Sequence, residues 1–366
     1  MRLLLINPFH TGSHAHWCNG IEHYLPKVSN TQVDVWTLPG RNWKWRMHGS
    51  AGYFANLARE QGLPSDIILT TDMMDVAAFR GLLPAQWRNV PIVQYFHENQ
   101  LTFPWNSGDP QKLRGQDHSY GFMNIQSCLA ADEIWFNSSF HQSVFCKAVD
   151  GFLAKLPGET HAFRSENIER KSRVVSLGIE PAESPQPKFP STPPTILWNH
   201  RWEYDKGPDA FLRHLNTLHH HGIRFKLILC GEQFSKVPDV FSELLSTFHD
   251  CIQHVGYADS RETYLRLLDS SDFILHEPVQ EYFGISVAEA MSRGVVPLLA
   301  RGQAYESWIP PSFLFQDESD MVRLWHEHNL LYQERSKAAY QTSQQYFWPS
   351  VVSEIQTKLQ LLIAKS

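Results

Sequence analysis

Cysteine is scarce in this 366-residue sequence, which has five that never form a Cys-x-x-Cys pair. Their odd number and wide spacing argue against a disulfide framework or a zinc site, and they favour free thiols in a reducing cytoplasm. No run approaches the roughly 20 apolar residues that a membrane-spanning helix needs. The apolar stretch within residues 1–9 is also shorter than the core of a secretory signal, which takes about 7–15 residues. These absences predict a cytoplasmic protein with no membrane partner.

Basic residues are also in deficit. Lysine and arginine total 32 against 38 for aspartate and glutamate, so the formal net charge is −6 with histidine counted as neutral. Proteins that hold nucleic acid over their whole surface are normally basic. A nucleic-acid partner of this chain must therefore contact a local cationic patch. The hydrophobic content of 42% is ample for packed cores, and the length fits two domains of ordinary size.

Proline is concentrated in one stretch, residues 181–194, where it takes six of fourteen positions. Because proline has no amide donor and a fixed φ, this stretch excludes a helix or a central strand and predicts a stiff linker. The linker separates a first domain at 1–180 from a second at 195–345. Residues 346–366 are predicted to form an amphipathic helix that packs back on the protein, because five apolar residues share one helical face. These residues are Val351, Val352, Ile355, Leu359 and Leu362.

Short apolar runs alternate with amphipathic helical stretches on both sides of the linker. Continuous apolar strands separated by helices indicate parallel sheets covered on both faces. We therefore expect an α/β protein of two doubly wound, Rossmann-like domains facing a cleft, with ligands at the carboxyl ends of the strands. The predicted strands are 2–7, 32–38, 66–70, 91–96, 133–137 and 173–177, then 195–199, 225–230, 252–255, 273–276 and 295–299.

Two glutamates lie eight residues apart around a strand-to-helix connection, Glu281 in the loop and Glu289 in the helix. A glycine before a helix lets the backbone approach a ligand, and the free amides of the first turn suit an anion or sugar hydroxyls. An ordinary strand–loop–helix with one capping carboxylate has the same pattern. Spacing alone leaves both interpretations open.

This connection resembles the E-x7-E motif of the retaining GT-B glycosyltransferases of the GT4 type. The resemblance implies that Glu281 contacts the transferred sugar as a catalytic residue and that Glu289 binds the ribose of a nucleotide donor. The loop amides that it assigns to sugar hydroxyls and phosphate are those of Phe283, Gly284 and Ile285.

Arg201 and Lys206 follow the predicted strand 195–199 and stand just before a helix. Two cations at that position can neutralise a diphosphate as it becomes a leaving group, so that no metal or other cofactor is needed. An arginine and a lysine in a loop are usually solvated charges. Their spacing, however, is similar to the Arg-x4-Lys of the GT4 enzymes, which implies a pyrophosphate clamp. Tyr257, after the strand 252–255, is expected near the nucleobase.

In the first domain, Gly12 and Ser13 follow the first strand and open a helix. Their amides are available to a phosphate or a hydroxyl, although the G-x-G-x-x-G fingerprint of dinucleotide sites is absent. We assign Gly12 and Ser13 to the donor and His14 to the acceptor. A metal site at His10, His14 and His16 is disfavoured, because no carboxylate or cysteine stands at suitable spacing.

His97 follows the fourth predicted strand, with Glu98 and Asn99 after it. A lone histidine at such a position is more often structural than functional. GT4 enzymes carry a histidine there that contacts the donor sugar, so the resemblance implies a catalytic role for His97. Glu98 and Asn99 are then expected to face the acceptor.

Residues 38–50 interleave three cations with two tryptophans in a predicted loop. Aromatic faces stack on bases while arginine and lysine hold phosphate, which is the combination used for unpaired nucleic acid. A buried tryptophan pair with a solvated rim explains the same composition. The residues assigned to acceptor binding here are Arg41, Trp43, Lys44, Trp45 and Arg46.

Three long segments resemble the tRNA-queuosine α-mannosyltransferase family: LPGRNWKWR at 38–46, YFHENQLTFP at 95–104 and QDHSYGFMNIQSCLAADEIWFNSSFHQ at 116–142. The resemblance implies retaining transfer of mannose from GDP-mannose to the cyclopentenediol of queuosine, at the wobble position of aspartate tRNA. Two alternatives stay open. One is a GT4 transferase that acts on a lipid, a polysaccharide or a small metabolite, and the other is a catalytically silent tRNA-binding protein. The sequence leaves the oligomeric state open.

Overall fold

The computed structural model describes residues 1–104, 118–155, 164–185, 189–233 and 237–365. The chain divides into two compact units, one of Met1–Gly178 with Trp348–Ser366 and one of Ile179–Phe347. Each unit is built on a six-stranded sheet whose neighbouring strands are all parallel. The predicted α/β class with parallel sheets is therefore confirmed.

The first unit has the strand order β2-β1-β3-β4-β5-β6. Its strands are β1 (Arg2–His10), β2 (Gln32–Pro39), β3 (Ile67–Thr71), β4 (Ile92–Phe96), β5 (Glu133–Phe136) and β6 (Ser172–Val174). Its helices are α1 (Gly12–Val28), α2 (Trp43–Gln61), α3 (Val76–Leu82), α4 (Ser119–Ala130), α5 (Ser139–Leu153), α6 (Ser165–Glu169) and the last helix α13 (Trp348–Ile363). Every residue of β3 and β4 is buried, as expected of strands covered on both faces.

The second unit has the strand order β12-β11-β10-β7-β8-β9. Its strands are β7 (Thr195–Trp198), β8 (Lys226–Cys230), β9 (Ile252–Gly256), β10 (Phe273–His276), β11 (Val296–Ala300) and β12 (Leu314–Phe315). Its helices are α7 (Pro208–His220), α8 (Val240–Thr247), α9 (Arg261–Asp269), α10 (Ile285–Ser292), α11 (Glu318–Leu330) and α12 (Tyr332–Ser343). Strand β12 was not predicted, because two residues are too few to show a strand pattern.

Both sheets reverse their strand order at one point, between β1 and β3 in the first unit and between β7 and β10 in the second. Loops that leave the carboxyl ends of two such strands run in opposite directions and leave a crevice for a ligand. The residues just after β1, β3, β7 and β10 are therefore the places to look for a site.

The last helix, α13, packs on α1 of the first unit. Its first residue, Trp348, contacts Gly20 and Gly178 closely. A Cβ atom on Gly20 would lie 1.9 Å from the indole, and a Cβ atom on Gly178 would lie 2.3 Å from it. Of the five apolar residues predicted to share a face, Leu362 is half-buried and the other four are buried. The helix is thus a buried part of the first unit.

The prediction of a loop over residues 38–50 is wrong from Trp43 onward. Strand β2 ends at Pro39, Asn42 takes a left-handed conformation with a φ of 55°, and α2 begins at Trp43. The helix forms because buried residues recur on one face at helical spacing. These residues are Met47, Ser50, Ala51, Phe54, Ala55 and Ala58.

The linker has no helix or strand in residues 181–185 and 189–194, as its prolines predicted, while 186–188 lie outside the described residues. Residues 116 and 117 of the third family segment also lie outside them. Across the described ranges, no helix combines the length and the hydropathy that crossing a bilayer requires.

Candidate active site

The candidate site of the second unit is built around an ion pair between Lys206 and Glu281, whose Nζ and Oε2 atoms lie 3.1 Å apart. Lys206 belongs to the loop after β7, residues 199–207, which we call the Lys206 loop. Glu281 belongs to the loop after β10, residues 277–284, which we call the Glu281 loop. Because β7 and β10 are adjacent parallel strands, both loops leave the same edge of the sheet. The structure thus joins the two predicted motifs at the point where the strand order reverses.

Both members of this pair are charged at neutral pH. Burial alone would raise the pKa of Glu281, but Lys206, His276 and the amide of Phe283 outweigh it and lower that pKa. Burial likewise disfavours the charged form of Lys206, yet Glu281 and Asp205 raise its pKa above the usual value. The Lys206 ammonium, 3.3 Å from Asp205 Oδ2, is therefore held between two carboxylates.

The second oxygen of Glu281 accepts hydrogen bonds from the amides of Phe283 and Gly284, at 3.3 Å and 3.0 Å. These are two of the three amides that the resemblance assigned to the donor. Glu281 thus caps the start of α10 and binds Lys206 with the same carboxylate. Ile285, the third residue of the set, is the first residue of α10 and is half-buried.

Arg201 lies at the exposed end of the Lys206 loop. Its guanidinium is 3.0 Å from Glu203 Oε2 and 3.8 Å from Asp205 Oδ2. Asp205 therefore links Arg201 to Lys206. Glu203 and Asp205 were not predicted from the sequence, although both stand between the two cations, because carboxylates are not expected in a site for a diphosphate.

The two loops approach each other through a glycine. Gly207 has a φ of 69°, and a Cβ atom on it would lie 2.0 Å from the carbonyl oxygen of Glu277. The amides of Val279 and Gln280 donate to the Asp205 carbonyl at 3.0 Å and 3.1 Å. Only glycine fits at position 207, and the backbone contacts hold the loops at a fixed spacing.

Glu289 of α10 faces α9. Its Oε1 atom lies 2.8 Å from Arg261, and its Oε2 atom accepts from the Tyr264 hydroxyl at 2.8 Å. Asn199, at the end of β7, donates to the same Tyr264 hydroxyl at 3.0 Å. The sequence offered no signal for Arg261 and Tyr264, because their link to Glu289 is purely spatial. Tyr257, predicted near the nucleobase, is 71% exposed after β9.

In the first unit, residues after β1, β3 and β4 meet around a buried carboxylate. Asp72 accepts a hydrogen bond from the His97 amide at 3.0 Å and lies 3.4 Å from His14 Nε2. The His14 and His97 rings are 4.2 Å apart. Gly12 and Ser13 open α1 as predicted and are exposed. Asp72 was not predicted from the sequence, although it follows β3 directly at the reversal point.

The His97 ring is buried among aromatic side chains, with Tyr95 at 4.9 Å and Trp17 at 5.3 Å. Neither ring nitrogen has a hydrogen-bond partner among the described residues. Burial, with smaller contributions from His14, His141 and His16, holds the pKa of His97 well below its usual range. The ring is therefore neutral and interacts as a dipole rather than as a cation.

Glu98 and Asn99 have different surroundings. Asn99 is fully buried, its Oδ1 atom accepts from the amides of Leu101 and Thr102, and its Nδ2 atom contacts His141 at 3.0 Å. Glu98 is half-buried and accepts from Gln100 at 3.0 Å. Asn99 organises its own loop, and Glu98 is the more accessible of the two predicted acceptor residues.

The start of α2 separates the two tryptophans of the cationic segment. Trp45 is 67% exposed, whereas Trp43 is half-buried against the Tyr120 ring at 5.1 Å. Arg46 is half-buried and donates to the Pro39 carbonyl at 3.3 Å, while Arg41 is exposed. Lys44 lies 5.6 Å from the centre of the Trp43 ring. The buried-pair interpretation therefore fits Trp43 and does not fit Trp45.

Two family models match the chain in succession. The model described as tRNA-queuosine alpha-mannosyltransferase N-terminal matches residues 2–179, and the model described as Glycosyl transferases group 1 matches residues 180–311. The boundary between the two matches falls at the division between the structural units.

Two relatives of this chain are named as alpha-mannosyltransferases. A tRNA-queuosine alpha-mannosyltransferase of Drosophila melanogaster is 29% identical over 335 residues, which cover 88% of this chain and 85% of that protein. A GDP-mannose:cellobiosyl-diphosphopolyprenol alpha-mannosyltransferase of Xanthomonas oryzae pv. oryzae is 22% identical over 201 residues, which cover 54% of this chain and 50% of that protein.

Solved structures show the same fold. Anabaena HepE, crystallised with UDP, aligns over 98% of this chain and 100% of its own, with a TM-score of 0.69 at 14% identity. Sucrose-phosphate synthase of Thermosynechococcus elongatus aligns over 100% of both chains with a TM-score of 0.69 at 13% identity. The chain is therefore a GT-B glycosyltransferase, and its first unit belongs to the tRNA-queuosine alpha-mannosyltransferase family.

Proposed function

We propose that this enzyme transfers mannose, with retention, from GDP-mannose to the cyclopentenediol of queuosine at the wobble position of aspartate tRNA. The observation that carries the proposal is the family match over residues 2–179, which make up the first unit apart from its last helix. The Drosophila relative is named as a tRNA-queuosine alpha-mannosyltransferase, and the Xanthomonas relative is named for a GDP-mannose donor. With tRNA as the acceptor, we also propose that the reaction takes place in the cytoplasm.

The charges of the second unit suit the departure of a diphosphate. Arg201 and Lys206 supply positive charge, and the leaving diphosphate takes the proton from the attacking hydroxyl, so that no enzymic nucleophile is required. Glu281 stabilises the sugar as positive charge develops on it, and the catalytic role of neutral His97 in the first unit stays a prediction. Glu203 is paired with Arg201, and Asp205 is paired with Lys206, so the two carboxylates hold the cations in place.

The donor is tested by incubating purified protein and bulk tRNA separately with GDP-mannose, UDP-glucose and UDP-galactose. Nucleosides from the digested tRNA are then analysed by mass spectrometry. We expect a hexose to be added with GDP-mannose and not with the UDP-sugars. Transfer from a UDP-sugar alone would overturn the proposed donor.

A second candidate acceptor is a polyprenyl-diphosphate glycan, because the Xanthomonas relative is named for one. That similarity spans 54% of this chain, whereas the similarity to the Drosophila relative spans 88%. Transfer of mannose to a lipid-linked glycan with none to tRNA would favour this candidate. Tight tRNA binding without any transfer would favour the silent binding protein.

We expect activity to survive chelation of divalent metals. In the proposed site, Arg201 and Lys206 supply the positive charge that a metal ion would otherwise supply to the diphosphate. The measurement compares initial rates in excess EDTA with rates after magnesium or manganese is restored. Complete loss on chelation with recovery on metal addition would contradict the clamp.

The start of α2 is the proposed contact for tRNA. Substitution of Arg41, Lys44 and Arg46 together by alanine should weaken tRNA binding and reduce its dependence on salt, because fewer counterions are released. Substitution of exposed Trp45 should cost about 1–3 kcal/mol of binding and leave the salt slope nearly unchanged. The check is filter binding at several salt concentrations, with GDP binding expected to stay normal.

Trp43→Leu is the matched control for Trp45, because Trp43 packs within the first unit. We expect this variant to lower thermal stability more than tRNA affinity. If the triple alanine variant binds tRNA like the wild type, the segment is structural and the RNA contact lies elsewhere.

A further inference from the structure

The segment after β11, Gln303–Ser307 with Trp308, forms one turn of 3-10 helix against the Glu281 loop. The Ala304 amide donates to the Glu281 carbonyl at 3.2 Å, and Gln303 accepts from the Glu281 amide at 3.4 Å. The Gln303 amide group donates to the Val279 carbonyl at 3.1 Å, and the Trp308 indole donates to the Phe283 carbonyl at 2.8 Å. This segment therefore fixes the backbone that carries the Glu281 carboxylate.

Tyr305, at the centre of that segment, is fully buried and touches the Glu281 loop through its ring. A Cβ atom on Gly284 would lie 2.6 Å from Tyr305 Cε1, so the ring packs directly on the glycine backbone. Gly284 has a φ of 92° and immediately precedes α10. The position of this ring thus limits where the start of α10 can lie.

The Tyr305 hydroxyl also reaches the Lys206 loop through His276. The hydroxyl lies 2.5 Å from His276 Nδ1, and His276 Nε2 lies 3.0 Å from the Lys206 carbonyl oxygen. A carbonyl only accepts, so His276 Nε2 carries the proton and its Nδ1 accepts from the Tyr305 hydroxyl. Burial lowers the pKa of His276 to about 3 and raises that of Tyr305, so both stay neutral and the direction of these bonds is fixed.

We propose that Tyr305 is a positioning residue for the donor. Through its contacts with His276 and Gly284, it sets the spacing between the Lys206 loop and the Glu281 loop. The inference rests on the proposed donor role of these loops. Lys206 and Glu281 lie 3.1 Å apart. A shift of either backbone would separate the cation from the carboxylate, and in the proposed site both groups act on the sugar diphosphate. No substrate contact by Tyr305 is required.

Tyr305→Phe is the direct test, because it keeps the ring against Gly284 and removes only the hydroxyl. Loss of one buried hydrogen bond that leaves His276 Nδ1 unpaired should weaken GDP binding and lower kcat/KM for GDP-mannose, each by about tenfold. The KM for tRNA should not change, since the change is confined to the donor loops. Titration calorimetry with GDP and steady-state kinetics give the two readouts.

The matched control is Tyr340→Phe, which removes the hydroxyl of another largely buried tyrosine of the same unit; this hydroxyl donates a partly buried hydrogen bond to the Ala182 carbonyl at 3.1 Å. It should cost similar thermal stability and keep GDP affinity within about twofold of the wild type. An equal loss of GDP affinity in both variants would show a general structural effect and overturn the proposal.

Gln303→Ala provides a second route, because Gln303 is half-buried and its loss leaves the Tyr305 packing intact. We expect weaker GDP binding in the same direction. If the Tyr305→Phe protein binds GDP with wild-type affinity, only the positioning role is overturned. If the wild-type protein binds neither GDP nor UDP, the proposed donor role of the two loops is overturned as well. A wild-type protein that binds GDP and leaves tRNA unmodified affects only the acceptor.

Discussion

Replacement of Lys206 by alanine is expected to lower kcat/KM for the donor by about 2–4 kcal/mol of transition-state stabilisation, in line with the removal of other charge-stabilising donors. The ammonium contacts both Glu281 and Asp205, at 3.1 Å and 3.3 Å. Without it, two largely buried carboxylates lie close together without a cation between them. Breaking a buried pair in this way also costs about 3–5 kcal/mol of folding stability.

Arg201→Ala separates the catalytic effect from the structural one. The Arg201 side chain is 46% exposed, so its removal should change the melting temperature little while it still removes one charge from the proposed clamp. Initial rates and thermal unfolding are measured for both variants and the wild type. Wild-type turnover in the Lys206→Ala protein would show that the ion pair has no role in transfer.

Replacement of Gly20 by alanine is expected to destabilise the first unit by about 3 kcal/mol, the upper end of the cost of overfilling a packed core. The added methyl would lie 1.9 Å from Trp348 Cζ2, and the indole also contacts Gly178 closely and has the His16 and Tyr24 rings at 5.7 Å and 6.0 Å. The ring has no room to retreat, so α13 must move away from α1. We expect the melting temperature to fall by about 6–12 °C.

Gly151→Ala is the matched control for this substitution. Gly151 also lies inside a helix, α5, but a Cβ atom there would meet no atom within 4 Å. Alanine at this position should raise stability by about 0.5–1 kcal/mol, because glycine is the poorer helix former. A Gly20→Ala protein as stable as the wild type would contradict the close packing of α13.

The sequence predicted the parallel sheets well because buried strands such as β3 and β4 are rich in apolar and β-branched residues. The prediction of a loop was wrong at α2, because it relied on the tryptophans and cations and not on the buried residues that recur at helical spacing. The periodicity of Met47, Phe54 and Ala58 was present in the sequence and identifies the helix.

The site was only partly readable from the sequence. Glu281 and Lys206 stand in local motifs, and the structure brings them together because their strands are neighbours in the sheet. Asp72, Tyr264 and Tyr305 carry no such motif. Each acts through a partner distant in sequence, and spacing along the chain does not encode such contacts.

The most direct test of the proposed function is mass spectrometry of nucleosides from two tRNA preparations incubated with the purified protein and GDP-mannose. One preparation contains queuosine in aspartate tRNA, and the other is the same tRNA with guanosine at the wobble position. We predict that one hexose is added to queuosine and none to the control tRNA, with the product sensitive to α-mannosidase. Equal labelling of both preparations, or no labelling of either while GDP-mannose is bound, would contradict queuosine as the acceptor.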